Sequence, residues 1–217
     1  MSLVVIYSGG LDSTVLLYQL RSAGQSLHCL SFNYGQKHLR ELNFAHDNCL
    51  ALGIPHLIGD LTGLAPVFAG SALTDRELVV PEGHYQDQSM RSTVVPNRNM
   101  IMLSLALGWA VSLQAEGVAY AAHAGDHAIY PDCRPNFVRG MQEVAKLCDY
   151  QQLEVVVPFM TMSKAEIVAL GADLGVPFIN TWSCYVGGEL HCGKCGTCVE
   201  RREAFVVAGV VDPTRYQ

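Results

Sequence analysis

The chain has 217 residues, half of them hydrophobic, which is enough for a sizeable core and excludes wholesale disorder. Charged residues make up 16%, against roughly 25% in an average soluble domain, and 14 basic against 20 acidic residues leave a net charge of −6. That balance argues against an extended grip on a phosphodiester backbone, which needs clustered Lys and Arg. The longest apolar run, Met100 to Leu113, falls short of the ~18 residues that cross a bilayer. The N-terminus lacks the basic region and small-residue cleavage site of a signal peptide. The expectation is a cytoplasmic protein of one to two domains without membrane or direct nucleic-acid contacts.

Strands and helices alternate. Leu3–Tyr7 reads as a β-rich apolar strand that stops at a Ser-Gly-Gly turn. Asp12–Ala23 has helical periodicity, with Gly24 as its stop. Leu27–Phe32 is a second strand, His38–Leu52 a second helix closed by Gly53, and His56–Ile58 a short third strand. Residues 62–96 show no period and predict a long, partly mobile functional loop. Asn99–Ala115 predicts a helix too apolar all round for a surface position. Gly117–Ala122 is a fourth strand, Pro135–Cys148 a helix, and Leu153–Val157 a fifth strand. Ser163–Leu174 follows as a helix, with Ser163 as N-cap and Glu166 at capping-box distance. A short helix around Glu200–Ala208 comes last. Such alternation means parallel strands joined by right-handed crossovers, an α/β sandwich of helices on a sheet.

Ser8-Gly9-Gly10-Leu11-Asp12-Ser13 lies between the first strand and first helix, at the sheet edge where ligands bind. Two glycines turn the backbone, the helix start adds free N–H groups and a positive dipole end, and two serines add hydroxyls. Together they form an anion cradle. It is neither a Walker loop nor a dinucleotide fingerprint. Lys164, at the start of its helix, is placed to neutralise phosphate charge. Asp126, Asp132 and Arg134 occupy loops at the carboxyl edge. A carboxylate there can accept from the amidine face of a guanine-type base, and a guanidinium can fork onto a carboxylate. His123 and His127 flank Asp126 at a spacing that could hold a metal on a helix, but Gly125 and the preceding strand speak against a helix there.

Of eight cysteines, Cys184, Cys192, Cys195 and Cys198 crowd into one C-terminal stretch. The Cys-x2-Cys turns let paired sulfurs face one ion, and four soft thiolates suit one structural zinc. An iron–sulfur cluster and a redox disulfide are the alternatives. His191 is read as a bystander. The expected division is an α/β domain over residues 1–180 with a zinc-binding region over 181–217 packed on it.

SGGLDS after an N-terminal strand resembles the loop motif of the ATP pyrophosphatase superfamily. The resemblance implies a five-stranded parallel sheet in order 3-2-1-4-5. It also implies ATP phosphates held by Ser8, Gly9, Gly10, Leu11, Asp12, Ser13, Thr14, Val15, Leu16, Leu17 and Tyr18, with Asp12 holding Mg2+. Further segments narrow it: Phe32-Asn33-Tyr34-Gly35-Gln36-Lys37-His38, Val95-Pro96-Asn97-Arg98-Asn99, Tyr130-Pro131-Asp132-Cys133-Arg134, Ser183-Cys184-Tyr185 and Asp212-Pro213-Thr214-Arg215-Tyr216. With the cysteine run, this set is similar to that of the 7-cyano-7-deazaguanine synthase family. Asn97 is a departure, standing where Gly is expected in that family.

The family resemblance implies an ATP-dependent ligase of queuosine biosynthesis acting on 7-carboxy-7-deazaguanine and free ammonia. Asp12, Lys164 and Arg98 would be its catalytic residues, and Tyr34, Arg98, Asp126, Asp132 and Arg134 would contact the base. The low charge and apolar helix add the expectation of a homodimer. Two other readings stand beside it: an enzyme that adenylates a tRNA base for thiolation or amination, and a zinc-ribbon interaction module.

Overall fold

In a computed structural model covering residues 1–217, five strands form one parallel sheet: β1 (Ser2–Ile6), β2 (Ser26–Asn33), β3 (His56–Asp60), β4 (Gly117–Ala119) and β5 (Glu154–Val156). Their spatial order is β3-β2-β1-β4-β5, with every neighbouring pair parallel, as the resemblance implies. Crossovers run through α1 (Leu11–Ser22), α2 (Arg40–Leu52), α3 (Arg98–Ser112) and α4 (Pro135–Ala145); α5 (Lys164–Asp173) and α6 (Gly196–Ala208) follow the last strand. β1 contributes Leu3 and Val5 to one face and Val4 to the other, so alternating side chains build two cores. One contains α1, α5 and the Ala204–Phe205 end of α6; the other contains α3 and Met141 and Ala145 of α4.

The element boundaries shift in three informative places. β4 ends at Ala119 rather than Ala122 because its neighbour β5 supplies only three residues; Tyr120 N–H still donates to the Val156 carbonyl at 3.2 Å, and the chain then leaves the sheet. Residues 62–96 are no open loop. Two 3-10 turns, Thr62–Phe68 and Gln88–Thr93, anchor it through fully buried Phe68, Leu73 and Met90. Its backbone also bonds to β2's exit, where Lys37 N–H donates to the Leu73 carbonyl at 2.8 Å. The third shift concerns α3, which is apolar around its circumference yet buries only one side. Met102, Leu103, Ala106, Leu107 and Ala110 face the sheet, while Met100 and Leu105 stay exposed.

A short 3-10 turn, Ala124–Ala128, also forms where a helix was not expected, because the His123 ring accepts from Gly125 N–H and Asp126 accepts from His123 N–H. Ser163 and Glu166 form the capping box read from their spacing. Asn97 caps α3 with φ of 51°, a left-handed conformation that glycine adopts freely and asparagine tolerates better than most residues.

The C-terminal segment is fastened by Arg201, which is fully buried on α6. Its Nε donates to Asp212, one terminal nitrogen to Thr181 Oγ1 at 2.8 Å and Ser183 Oγ at 3.1 Å, and the other to the Phe178 carbonyl at 3.1 Å. Tyr216 OH donates to the same Asp212 at 2.6 Å. Every guanidinium nitrogen is thus satisfied without water. Burial works against ionised Asp212, but Arg201 and the hydroxyl and amide donors around it hold its carboxyl below the usual range. Arg201→Ala is expected to destabilise the fold by about 3–5 kcal/mol, read as a lower urea midpoint at unchanged slope. An unchanged midpoint would show that the tail docks without it.

Candidate active site

Gly10 caps α1, and no side chain satisfies the N–H groups of its first turn. Ser8 Oγ accepts from Gly10 N–H at 3.1 Å, while the Ser13 and Thr14 hydroxyls donate back to the Gly10 carbonyl at 3.3 and 2.7 Å. The loop is held by its own side chains, and the helix N-terminus is left free for an anion. Gly9 has φ of +79°, and a Cβ there would run into α2's backbone, meeting Ala45 N at 2.7 Å. Only glycine lets α2 pack this close to the loop.

Asp12 does not cap the helix. It points across the loop, and Lys164 Nζ at the head of α5 donates to its Oδ2 at 2.5 Å. Glu200 of α6 approaches the same ammonium at 3.4 Å. Burial works against charge on all three. For Lys164 the two carboxylates outweigh it and hold the ammonium protonated well above its ordinary range. The Asp12 carboxyl is held low by Lys164 and then His123, despite burial. For Glu200 burial dominates and raises the carboxyl. Asp12 Oδ1 is buried without a hydrogen-bond partner, an oxygen that fits a cation brought in with phosphates.

Above the loop lies a cavity of about 240 Å3 at the carboxyl ends of β1, β2 and β4, the point where strand order reverses. Ser8, Gly10, Leu11, Asp12 and Ser13 form its floor, with Lys164 beside them. Thr14, Val15, Leu16 and Leu17 instead turn into the protein and are buried, the last three in the core, and Tyr18 packs at that core's margin. Of the loop and α1, the residues that face the cavity therefore end at Ser13.

Tyr34, Arg98 and Asp126 line the cavity. The Arg98 guanidinium lies 3.3 Å from Tyr34 OH and 5.9 Å from that ring's centroid. Asp132 and Arg134 do not reach the cavity. Asp132 accepts from Asn99 N–H at 3.1 Å and so caps the start of α3, where the helix dipole favours an anion. Exposed Arg134 donates to the His127 carbonyl at 2.8 Å. Sequence reasoning missed Glu41 and His38, which line the cavity, and Glu200 beside Lys164. Glu41 and Glu200 occupy helical positions whose local pattern reads as ordinary polar surface.

The four clustered cysteines bring their sulfurs within 4.8 Å of one another, with Cys192 and Cys198 at 3.9 Å. Sulfurs of four ligands ~2.3 Å from one tetrahedral ion lie about 3.8 Å apart, so the cluster can hold a metal ion. Cys184, Cys195 and Cys198 are buried, and Cys195 is the N-cap of α6. His191 is no ligand: its Nε2 accepts from Ser183 N–H at 3.1 Å and its ring packs on Trp182 at 4.3 Å. Trp182 N–H in turn donates to the Gly9 carbonyl at 3.0 Å, and Trp182, Ser183, Tyr185 and Thr197 line the cavity. The cysteine region thus forms one wall of the site.

The family described as "Queuosine biosynthesis protein QueC" matches residues 2–209. The 7-cyano-7-deazaguanine synthase of Marinobacter nauticus is 53% identical over 216 residues, covering 100% of this chain and 97% of that one. That of Hahella chejuensis is 54% identical over 214 residues, covering 99% and 92%. Among solved structures, a 4-thiouridine synthetase–RNA complex with bound ATP aligns with TM-score 0.54 at 16% identity, over 96% of this chain and 52% of that one. The U34-tRNA thiolase NcsA from Methanococcus maripaludis with its [4Fe-4S] cluster aligns with TM-score 0.53 at 15% identity, over 95% and 65%. These two share the fold. With relatives half identical from end to end and a family match over nearly its whole length, the chain belongs to the QueC family of queuosine biosynthesis, the 7-cyano-7-deazaguanine synthases.

Proposed function

We propose that the protein converts 7-carboxy-7-deazaguanine and ammonia to 7-cyano-7-deazaguanine with ATP. The observation that carries this reading is the cavity itself: a phosphate-type loop with its Asp12–Lys164 pair on one side and the Arg98 guanidinium, the Tyr34 phenol and the Glu41 carboxylate on another. A carboxylate oxygen is a poor leaving group. Its attack on a phosphorus of ATP breaks a phosphoanhydride bond, releases the other part of the nucleotide polyphosphate and makes an acyl phosphate; ammonia then adds at the acyl carbon and expels the phosphoryl oxygen to give the amide. A second activation places the phosphoryl group on the amide oxygen; its departure with loss of two protons leaves the nitrile. No side chain need form a covalent bond, so the protein's contribution is positioning and charge neutralisation.

In this reading Ser8, Gly10 and Ser13 with the α1 N-terminus hold phosphate oxygens, and Lys164 neutralises charge that develops on them. Asp12, through its unpartnered Oδ1, is the residue suited to Mg2+. Arg98 binds the base beside Tyr34. The cysteine cluster is a structural zinc site, because four thiolates fill a tetrahedron and leave no open position. Its sulfurs are close enough to share one ion, whereas a cubane cluster would stand between them and spread them farther apart. No helix is long and apolar enough to cross a membrane, and the reading places the reaction in the cytoplasm. A homodimer belongs to it as well, supported by the exposed Met100 and Leu105 on α3.

Incubation of the protein with ATP, ammonium and 7-carboxy-7-deazaguanine should yield a nitrile detected by mass; no product under those conditions would reject the function. Arg98→Ala should raise KM for the base about 30–100-fold while KM for ATP stays within a few fold, as removal of a charge-assisted contact worth ~2–3 kcal/mol implies. Equal KM values for the base in wild type and variant would remove Arg98 from its recognition.

A further inference from the structure

The cavity's carboxylates are not equivalent. Asp12 belongs to the phosphate loop through Lys164. Asp126 is committed on both oxygens: Oδ1 accepts from Tyr85 OH at 3.0 Å and Oδ2 from His123 N–H at 3.1 Å. Asp132 caps α3 outside the cavity. Glu41, in the first turn of α2, differs from all three. Its Oε1 accepts from Gln36 Nε2 at 3.1 Å and lies 3.6 Å from His38 Nε2, while Oε2 has no hydrogen-bond partner in the protein. Gln36 is itself locked, accepting from Tyr34 N–H and donating to the Phe32 carbonyl, both at 2.9 Å. The carboxylate is therefore held in one orientation by a side chain braced on the end of β2.

Resting on the function proposed above, we infer that Glu41 is the residue that selects the base, its carboxylate accepting hydrogen bonds from the ring N–H and exocyclic amine of a 2-amino-pyrimidinone ring. Two parallel N–H donors match a carboxylate edge, with Oε2 wholly free and Oε1 keeping a lone pair. Arg98, which forms no ion pair within the chain, supplies the complementary donor for the ring's carbonyl oxygen. The substituted five-membered ring lies at the other end of such a base from its amino group, so Glu41 has no part in the chemistry of the carboxylate being activated. Burial raises the Glu41 carboxyl to about 7, against the pull of Gln36 and then Arg98, so the group lacks solvation that the base's donors would replace.

A base and a ribose are both ligands a carboxylate can hold, and the test separates them. KM values are measured in the intact enzyme for 7-carboxy-7-deazaguanine, for its analogue lacking the 2-amino group, for ATP and for 2′-deoxy-ATP. Wild type should use the desamino analogue at least 30-fold less efficiently in kcat/KM. Glu41→Gln, which keeps the bond to Gln36, should raise KM for the natural base by a similar factor and shrink the discrimination to a few fold, with KM for ATP unchanged. Glu41→Asp, which keeps the carboxylate but draws it back, serves where Glu41→Gln does not fold, and a folded variant with wild-type KM for the natural base would overturn the inference. Wild-type indifference to the 2-amino group would overturn the inference. So would a Glu41→Gln effect confined to ATP with loss of preference over 2′-deoxy-ATP, which would assign the carboxylate to the ribose. If wild type makes no nitrile from the natural base, the proposed function fails instead.

Discussion

Asp12→Asn should lower kcat/KM by 10²- to 10³-fold or more while leaving a folded protein. The substitution keeps the shape of the side chain and removes its charge. Lys164 Nζ, now 2.5 Å from Asp12 and 3.4 Å from Glu200, would keep only the longer of its two ion pairs. Two functions are then lost together: the anchor that fixes the ammonium over the loop, and the anionic oxygen suited to a divalent cation. Loss of one preorganised electrostatic group costs about 2.7–4 kcal/mol of transition-state stabilisation, and a residue serving two groups should sit at the upper end. The measurement is steady-state turnover beside a thermal melt. A fully active Asp12→Asn enzyme would show that the loop's charge pair is only structural.

Cys195→Ser should produce the largest loss of stability. Cys195 is fully buried, supplies one of the four clustered sulfurs and caps α6, the helix that carries both Arg201 and Glu200. Metal affinity in such a site is folding free energy, about 10–16 kcal/mol in zinc-finger peptides at neutral pH, against a net domain stability of only about 5–15 kcal/mol. The variant is therefore expected to be largely insoluble. Elemental analysis of wild type should find one zinc per chain, and strong chelation should unfold residues 181–217 before the sheet. A stoichiometric visible chromophore of iron and sulfide in anaerobically prepared protein would replace zinc with a cluster.

The two regions are physically joined. The Trp182 backbone N–H on the Gly9 carbonyl joins the cysteine region to the Ser-Gly-Gly loop, and Glu200 follows Cys198 on α6 by two residues. Loss of the metal is thus expected to reach the loop by loosening Trp182 and Glu200 as well as by unfolding.

The sequence by itself determined the parallel sheet, the Ser-Gly-Gly loop at its edge and the cysteine cluster, because each is encoded over a short stretch of chain. Strand–helix alternation permits little besides parallel strands, a Gly-Gly turn before a helix exposes N–H groups wherever it occurs, and Cys-x2-Cys turns converge their sulfurs locally. The capping box of α5 was legible for the same reason. The tertiary structure alone decided which side chains face the cavity. Asp132 sits in a loop at the correct edge, yet its carboxylate is captured by the start of α3; Glu41 and Glu200 lie on helices and turn inward because Gly9 admits α2 and the cysteine region aims α6. Residues 62–96 show the same limit. Phe68, Leu73 and Met90 bury themselves from 3-10 turns and irregular chain, which carry no hydrophobic period to read. Periodicity records burial of one element against its neighbours, whereas a cavity is made where several elements end, and their relative placement is fixed only by packing.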